Sequence, residues 1–185
     1  MTKYVVLLRG INVGGKNMIK MPDLKQAFVS IGMLEVSTYI QSGNVLFSSD
    51  KNEKELIPEL ESVISKFFGL DIPVILRSIP ELEKIKENVP FSIEEISEIE
   101  NSAEGEVLYL FMFADKPSLR DIERISLYKE GGDRFEIKGR DMYVLFDKTI
   151  RDSKLAGVLQ KTETPVTSRN MRTVNKLIEL GKSNI

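Results

Sequence analysis

The sequence predicts an α+β protein of two ferredoxin-like (βαββαβ) subdomains, the second altered at its C-terminal end. Three observations lead there. Apolar runs and helical periodicities succeed one another as β-α-β-β-α-β over residues 1–80, the order of a split βαβ unit. A β-α-β-β-α succession recurs from residue 107. Between them, residues 81–106 set nine Glu against Lys84 and Lys86, a composition that suits a solvated connector better than a core element. The expected division is a subdomain over 1–80, an acidic connector carrying a helix over 81–106, and a second subdomain with a C-terminal helix over 107–185.

Each element follows from its residues. Tyr4-Val-Val-Leu-Leu8 is β-branched and aromatic and too short for a helix, so it reads as a buried strand. Pro22-Asp23 opens a helix with Leu24, Ala27, Phe28 and Ile31 on one face, and Gly32 closes it. Val36 to Ile40 alternates, and Val45-Leu-Phe47 follows at hairpin distance across Ser42-Gly43-Asn44. Leu56, Leu60, Val63, Ile64, Phe67 and Phe68 keep helical spacing up to Gly69. Pro73 places the next strand, Ile72 to Leu76, at a sheet edge. In the second half, Val107 to Phe113 is a strand and Pro117 to Tyr128 a helix. Phe135 to Ile137 and Met142 to Phe146 form a hairpin, and Asp152 to Leu159 is a helix. Where the first half has its last strand, only Pro165-Val-Thr167 remains before a helix with Met171, Val174, Leu177, Ile178 and Leu180 inward.

Composition removes several chemistries. The chain of 185 residues has no Cys and no His. Disulfides, thiolate nucleophiles, Cys/His zinc sites and the usual general base near neutral pH are therefore absent. No metal site and no cofactor is expected, since the acidic stretch also lacks a calcium-loop pattern. A net charge of −2 gives no global basic field, so any anion site must be local. No segment reads as a signal peptide or membrane span, which predicts a cytoplasmic protein without a membrane partner.

Three polar segments carry the candidate chemistry. Gly10, Gly15 and Lys16 fit the spacing of a phosphate-cradling loop, G-x-x-x-x-G-K-[ST], but Asn17 stands where a hydroxyl should ligate Mg²⁺. Pro22 also starts the helix too late, and a hairpin replaces the parallel neighbour strand, so a nucleotide triphosphatase is not expected. Two readings remain open: an anion nest of Arg9, Asn12, Gly14, Gly15, Lys16 and Asn17, or a crossover whose glycines merely permit positive φ. The second segment, Thr167 to Lys176, sets Arg169, Arg172 and Lys176 on one helix face behind a cap at Ser168 or Asn170. Cations at a helix N-terminus call for an opposing charge, either a bound anion or a structural ion pair with the acidic 81–106 stretch. In the third segment, Tyr39 and Gln41 are expected on one sheet face before Asn44, offering a base-stacking surface or a packed hairpin.

Leu8-Arg-Gly-Ile-Asn-Val-Gly-Gly-Lys-Asn17 with Met21 and Leu24, Thr38-Tyr-Ile-Gln-Ser-Gly-Asn-Val45, and Thr167-x-Arg-Asn-x-x-Thr-Val-x-Lys-Leu177 together resemble the bacterial domain of unknown function 1697 family. The resemblance spans essentially the whole chain. It implies a cytoplasmic protein of ferredoxin-like α+β architecture and brings no activity, substrate or cofactor with it. The family often carries Trp after the Arg-Asn pair where this chain has Met171, a substitution that suits packing better than base stacking.

Both chain ends are basic, with a net charge of +4 over residues 1–28 and +3 over 166–185. The leading expectation is a module that binds a nucleotide or nucleic acid in a basic cleft between the subdomains, through the Lys16 loop and the Arg169 segment. A protein-interaction or scaffold domain is the alternative, and a small nucleotide-directed hydrolase or transferase is the third reading.

Overall fold

Strand β1 (Thr2–Leu8) is buried from Tyr4 to Leu8, so both of its faces are covered. The computed structural model describes residues 1–129 and 131–183. Around β1 the chain adds α1 (Met21–Ser30), β2 (Leu34–Tyr39), β3 (Asn44–Ser49), α2 (Glu53–Phe68) and β4 (Val74–Ser78). Sheet order is β2-β3-β1-β4 with antiparallel pairing throughout, as a split βαβ unit requires. Asn52 and Glu55 form a reciprocal capping box that starts α2. Pro73 precedes the edge strand β4, where a missing N–H costs no ladder bond. Tyr4, Val6 and Leu8 share one core with Leu24 and Phe28 of α1 and Leu56 and Leu60 of α2.

A second sheet repeats the plan. It is built from β5 (Leu108–Phe113), α5 (Leu119–Ser126), β6 (Arg134–Lys138), β7 (Asp141–Leu145), α6 (Lys154–Leu159) and β8 (Val166–Asn170), in the order β6-β7-β5-β8. Phe111, Phe113, Ile125, Val144, Phe146 and Leu155 form its core. Buried Asp121 of α5 accepts the backbone N–H groups of Glu163 at 2.8 Å and Thr164 at 3.0 Å, which ties the helix to the segment entering β8. Burial pushes its carboxyl pKa up, but these backbone bonds outweigh that and hold it below the ordinary value of 3.8.

Two elements differ from expectation. The expected remnant at Pro165–Thr167 is a full strand, because β5 pairs with Val166 through Asn170 and its ladder satisfies the backbone of residues whose side chains suggest a cap. What alters the C-terminal end is the closing helix, α7 (Met171–Lys182), which is longer than α3 (Ile79–Glu87) after β4. The acidic stretch carries most of α3 and a second helix, α4 (Ile93–Glu100).

The chain divides into two compact units, Met1–Glu83 with Asn175–Ile185, and Lys84–Val174. Within the first, Lys182 pairs with Glu83, and Gly181 lies so near Ile79 that an added Cβ would fall 2.1 Å from its Cδ1. Within the second, the Tyr143 hydroxyl donates to Ile85 O at 2.8 Å, and burial pushes that phenol up to about 12.

Candidate functional site

The connection from β1 to α1 is a small hairpin. Lys16 N donates to Val13 O at 3.0 Å and Asn12 N to Asn17 O at 3.2 Å. Gly14 and Gly15 occupy the two central turn positions at φ +57° and +74°, the left-handed pair that a type I′ turn demands and that side chains resist. The Gly-Gly pair therefore serves the turn geometry. Met21 starts α1 five residues after Lys16, and β1 has only antiparallel neighbours, so the phosphate-loop context is absent as expected.

Asparagine side chains lock this hairpin to the β2–β3 turn. Asn12 donates from Nδ2 to Ile19 O and to Gln41 O, both at 2.9 Å, and its Oδ1 accepts Ile19 N–H at 2.8 Å. Asn17 Nδ2 donates to Gly10 O at 3.0 Å. Buried Asn44 donates to Tyr39 O at 3.0 Å and to Ser42 Oγ at 2.9 Å. Gly43 stands so close to the hairpin base that a Cβ there would lie 2.7 Å from Ile11 Cδ1 and 2.8 Å from Leu8 Cβ. The first and third polar segments of the sequence are thus one structure.

The lock stores backbone strain. Asn12, Asn17 and Ile40 have φ of +54°, +48° and +50°. Asparagine tolerates this region; a β-branched isoleucine does not, at a cost of about 1–2 kcal/mol. Ile40 is nevertheless half exposed, so core packing does not force it there. Val13 at 66% and Met18 at 68% exposure present further apolar surface on the hairpin. Arg9, Lys16 and Lys20 supply charge, with no acidic residue from Arg9 to Pro22. Lys16 and Lys20 are exposed, and neither makes an ion pair among the described residues.

Tyr39 ends β2 half-buried, while Gln41 lies beyond the strand in the turn. The expected shared sheet face of Tyr39 and Gln41 does not form, because the left-handed Ile40 breaks the strand alternation between them.

The C-terminal segment differs more. Arg169 belongs to β8, opposite Leu110, so it shares no helix face with Arg172 and Lys176. It is buried, donates from Nη1 to Thr167 Oγ1 at 2.9 Å and Ser168 O at 2.7 Å, and its guanidinium pKa is pushed down to about 10 by burial. Asn170 is the cap, its Oδ1 accepting Thr173 N–H at 2.9 Å. Arg172 pairs with Glu106 at 2.8 Å, so of its two expected roles it takes the ion pair with the acidic stretch. Lys176 pairs with Glu179 at 2.7 Å, and Met171 is buried in a packing role.

Exposed Val13, Met18 and Ile40 and the close contact at Gly43 are not among the residues that the sequence singles out. Gly-Gly between Val13 and Lys16 carried a turn signal; nothing in the sequence marked Ile40. Among the described residues no cluster of acids could hold a metal ion, and no helix is long and apolar enough to cross a membrane.

Fold and surface together define a class: an α+β protein of two ferredoxin-like units, the first carrying an asparagine-locked basic hairpin. The chain belongs to the family described as protein of unknown function (DUF1697), whose model matches residues 1–143. It is similar in structure to the conserved bacterial protein SP0830 from Streptococcus pneumoniae, with 25% identity, a TM-score of 0.71, and coverage of 98% of this chain and 99% of that one. No curated protein matches it.

Proposed function

We propose that the protein is a binding module for a phosphate-bearing ligand, a nucleotide or nucleic acid, which engages the Gly10–Ile19 hairpin and the adjoining Tyr39–Asn44 turn. The observation that carries the reading is strain kept at an exposed place. Left-handed backbone at Asn12, Asn17 and Ile40 is held by side-chain hydrogen bonds around Lys16. A fold sustains such strain where a surface must keep one shape, and preorganised loops bind with less ordering cost. Arg9, Lys16 and Lys20 supply the charge that phosphates require, and half-buried Tyr39 supplies an aromatic ring on the adjoining turn.

Fluorescence anisotropy with labelled nucleotides, short RNA and short DNA at two salt concentrations tests this. Binding that weakens with salt, with a log–log slope that falls by about one in Lys16→Ala, is the expected result. Absence of binding at low salt, or full binding by Lys16→Ala/Lys20→Ala, overturns it. A protein partner is the second reading, favoured by exposed Val13, Met18 and Ile40. It predicts that Val13→Ser/Met18→Ser abolishes capture of that partner while oligonucleotide binding is absent throughout.

A further inference from the structure

Helix α4 is amphipathic and only partly packed, with Glu95 paired to Arg134 of β6. Its isoleucines, Ile93, Ile96 and Ile99, follow at i, i+3 and i+6, a stripe about 120° wide at 100° per residue. None of its residues is buried: Ile93 is 79% exposed, and Ile96 and Ile99 are half-buried. Helices this short are marginal in water unless an apolar face is covered. Yet the sequence spends a full capping box, Ser92 with Glu95, on starting this one. Its flanks are acidic: Glu94, Glu98, Glu100 and Glu104 make no ion pair among the described residues.

The same chain carries the complement. Lys16 and Lys20 are exposed cations without an ion pair among the described residues, in the same short stretch of chain as exposed Val13 and Met18.

From this we infer that the protein self-associates, the basic hairpin of one copy seating the acidic α4 of a second. Exposed Ile93, with the outer edges of half-buried Ile96 and Ile99, supplies the apolar contact to Val13 and Met18, and the flanking charges set its register. Two different patches meet, so the contact either occurs twice in a reciprocal two-fold pair or repeats head to tail to close a ring or grow a chain. The inference uses the surface of the preceding section but does not depend on a phosphate ligand.

Sedimentation velocity on the full chain, without ligand, over a range of concentrations at low and high salt is the test. Concentration-dependent association that weakens with salt is expected. Lys16→Glu/Lys20→Glu and, separately, Ile93→Ser/Glu98→Lys each weaken it by at least about tenfold. All four residues are exposed and outside the cores, and unchanged circular dichroism and melting midpoint establish that both variants fold. An equimolar mixture of the two variants regains a capped heterodimer, because each retains the patch the other has lost. A monomer at every concentration and salt overturns the inference, as does association unaltered in the variants or a mixture that stays monomeric. Oligonucleotide binding is read separately, so failure here and failure of the ligand reading are distinguishable.

Discussion

Asn12 offers the sharpest check on the locked hairpin. Its side chain makes three hydrogen bonds, two donated to Ile19 O and Gln41 O and one accepted from Ile19 N–H. A net value of about 0.5–1.5 kcal/mol per bond, taken low because the site is only part-buried, gives about 2 kcal/mol for the set. Backbone adds to this: at φ +54° alanine costs about 1 kcal/mol more than asparagine. Asn12→Ala should therefore destabilise by about 3 kcal/mol, lowering the melting midpoint by about 6–12 °C for a chain of this size. Asn12→Gly separates the contributions, because glycine accepts the positive φ but loses the three bonds. It should recover part of the backbone cost, less what glycine adds to the freedom of the unfolded chain. Asn12→Asp keeps the acceptor for Ile19 N–H but faces two carbonyls with a carboxylate, and should fall near Asn12→Ala. Urea unfolding followed by circular dichroism measures all three. Hydrogen exchange at the amides of Asn12 and Lys16 reports whether the hairpin opens before the rest. A loss below about 0.5 kcal/mol in Asn12→Ala would refute the argument that these bonds hold the strained loop in place.

Ile40→Gly relieves a left-handed β-branched residue and should raise stability by about 1 kcal/mol in urea unfolding while weakening oligonucleotide binding. Loss of stability would show that Ile40 contributes packing that its exposure does not reveal. Gly43→Ala places a Cβ against Leu8 Cβ at φ +77° and should cost about 2–4 kcal/mol by the same assay; a neutral result would mean that the turn moves away from the hairpin freely. Asp121 titrates below its ordinary value in the folded protein, so its contribution is present in full above that value and is lost as pH falls through the depressed folded pKa. Asp121→Asn should cost about 2 kcal/mol at neutral pH and flatten the acid limb of stability against pH; parallel acid limbs in the two proteins would contradict that assignment.

Hydrophobic periodicity located nearly every strand and helix, because a face that must be buried repeats at 2.0 or 3.6 residues whatever lies against it. The edge at Pro73 and the cap at Asn170, one of the two residues offered for it, were legible for the same local reason: the residues concerned sit within a few positions of the backbone groups they affect. Ser168 and Arg169 misled, since polar residues before an apolar helix look like a cap or its first turn while the partner that makes them a strand, β5, lies about sixty residues away in the chain. Arg169 shows the same limit in its burial, which no neighbour in sequence announces.

The residues alone determined the first βαββαβ unit and the βαββα order of the second, the lack of Cys and His chemistry, and the polar segments in which a site must be sought. Tertiary structure decided which segments meet. It joined the Gly-rich loop to the Tyr39–Asn44 turn through Asn12, pushed Ile40 into left-handed backbone, and gave Arg172 to Glu106. Periodicity and capping depend on residues a few positions apart, whereas the pairing of distant polar groups is settled by sheet register and loop closure, which only the folded chain supplies.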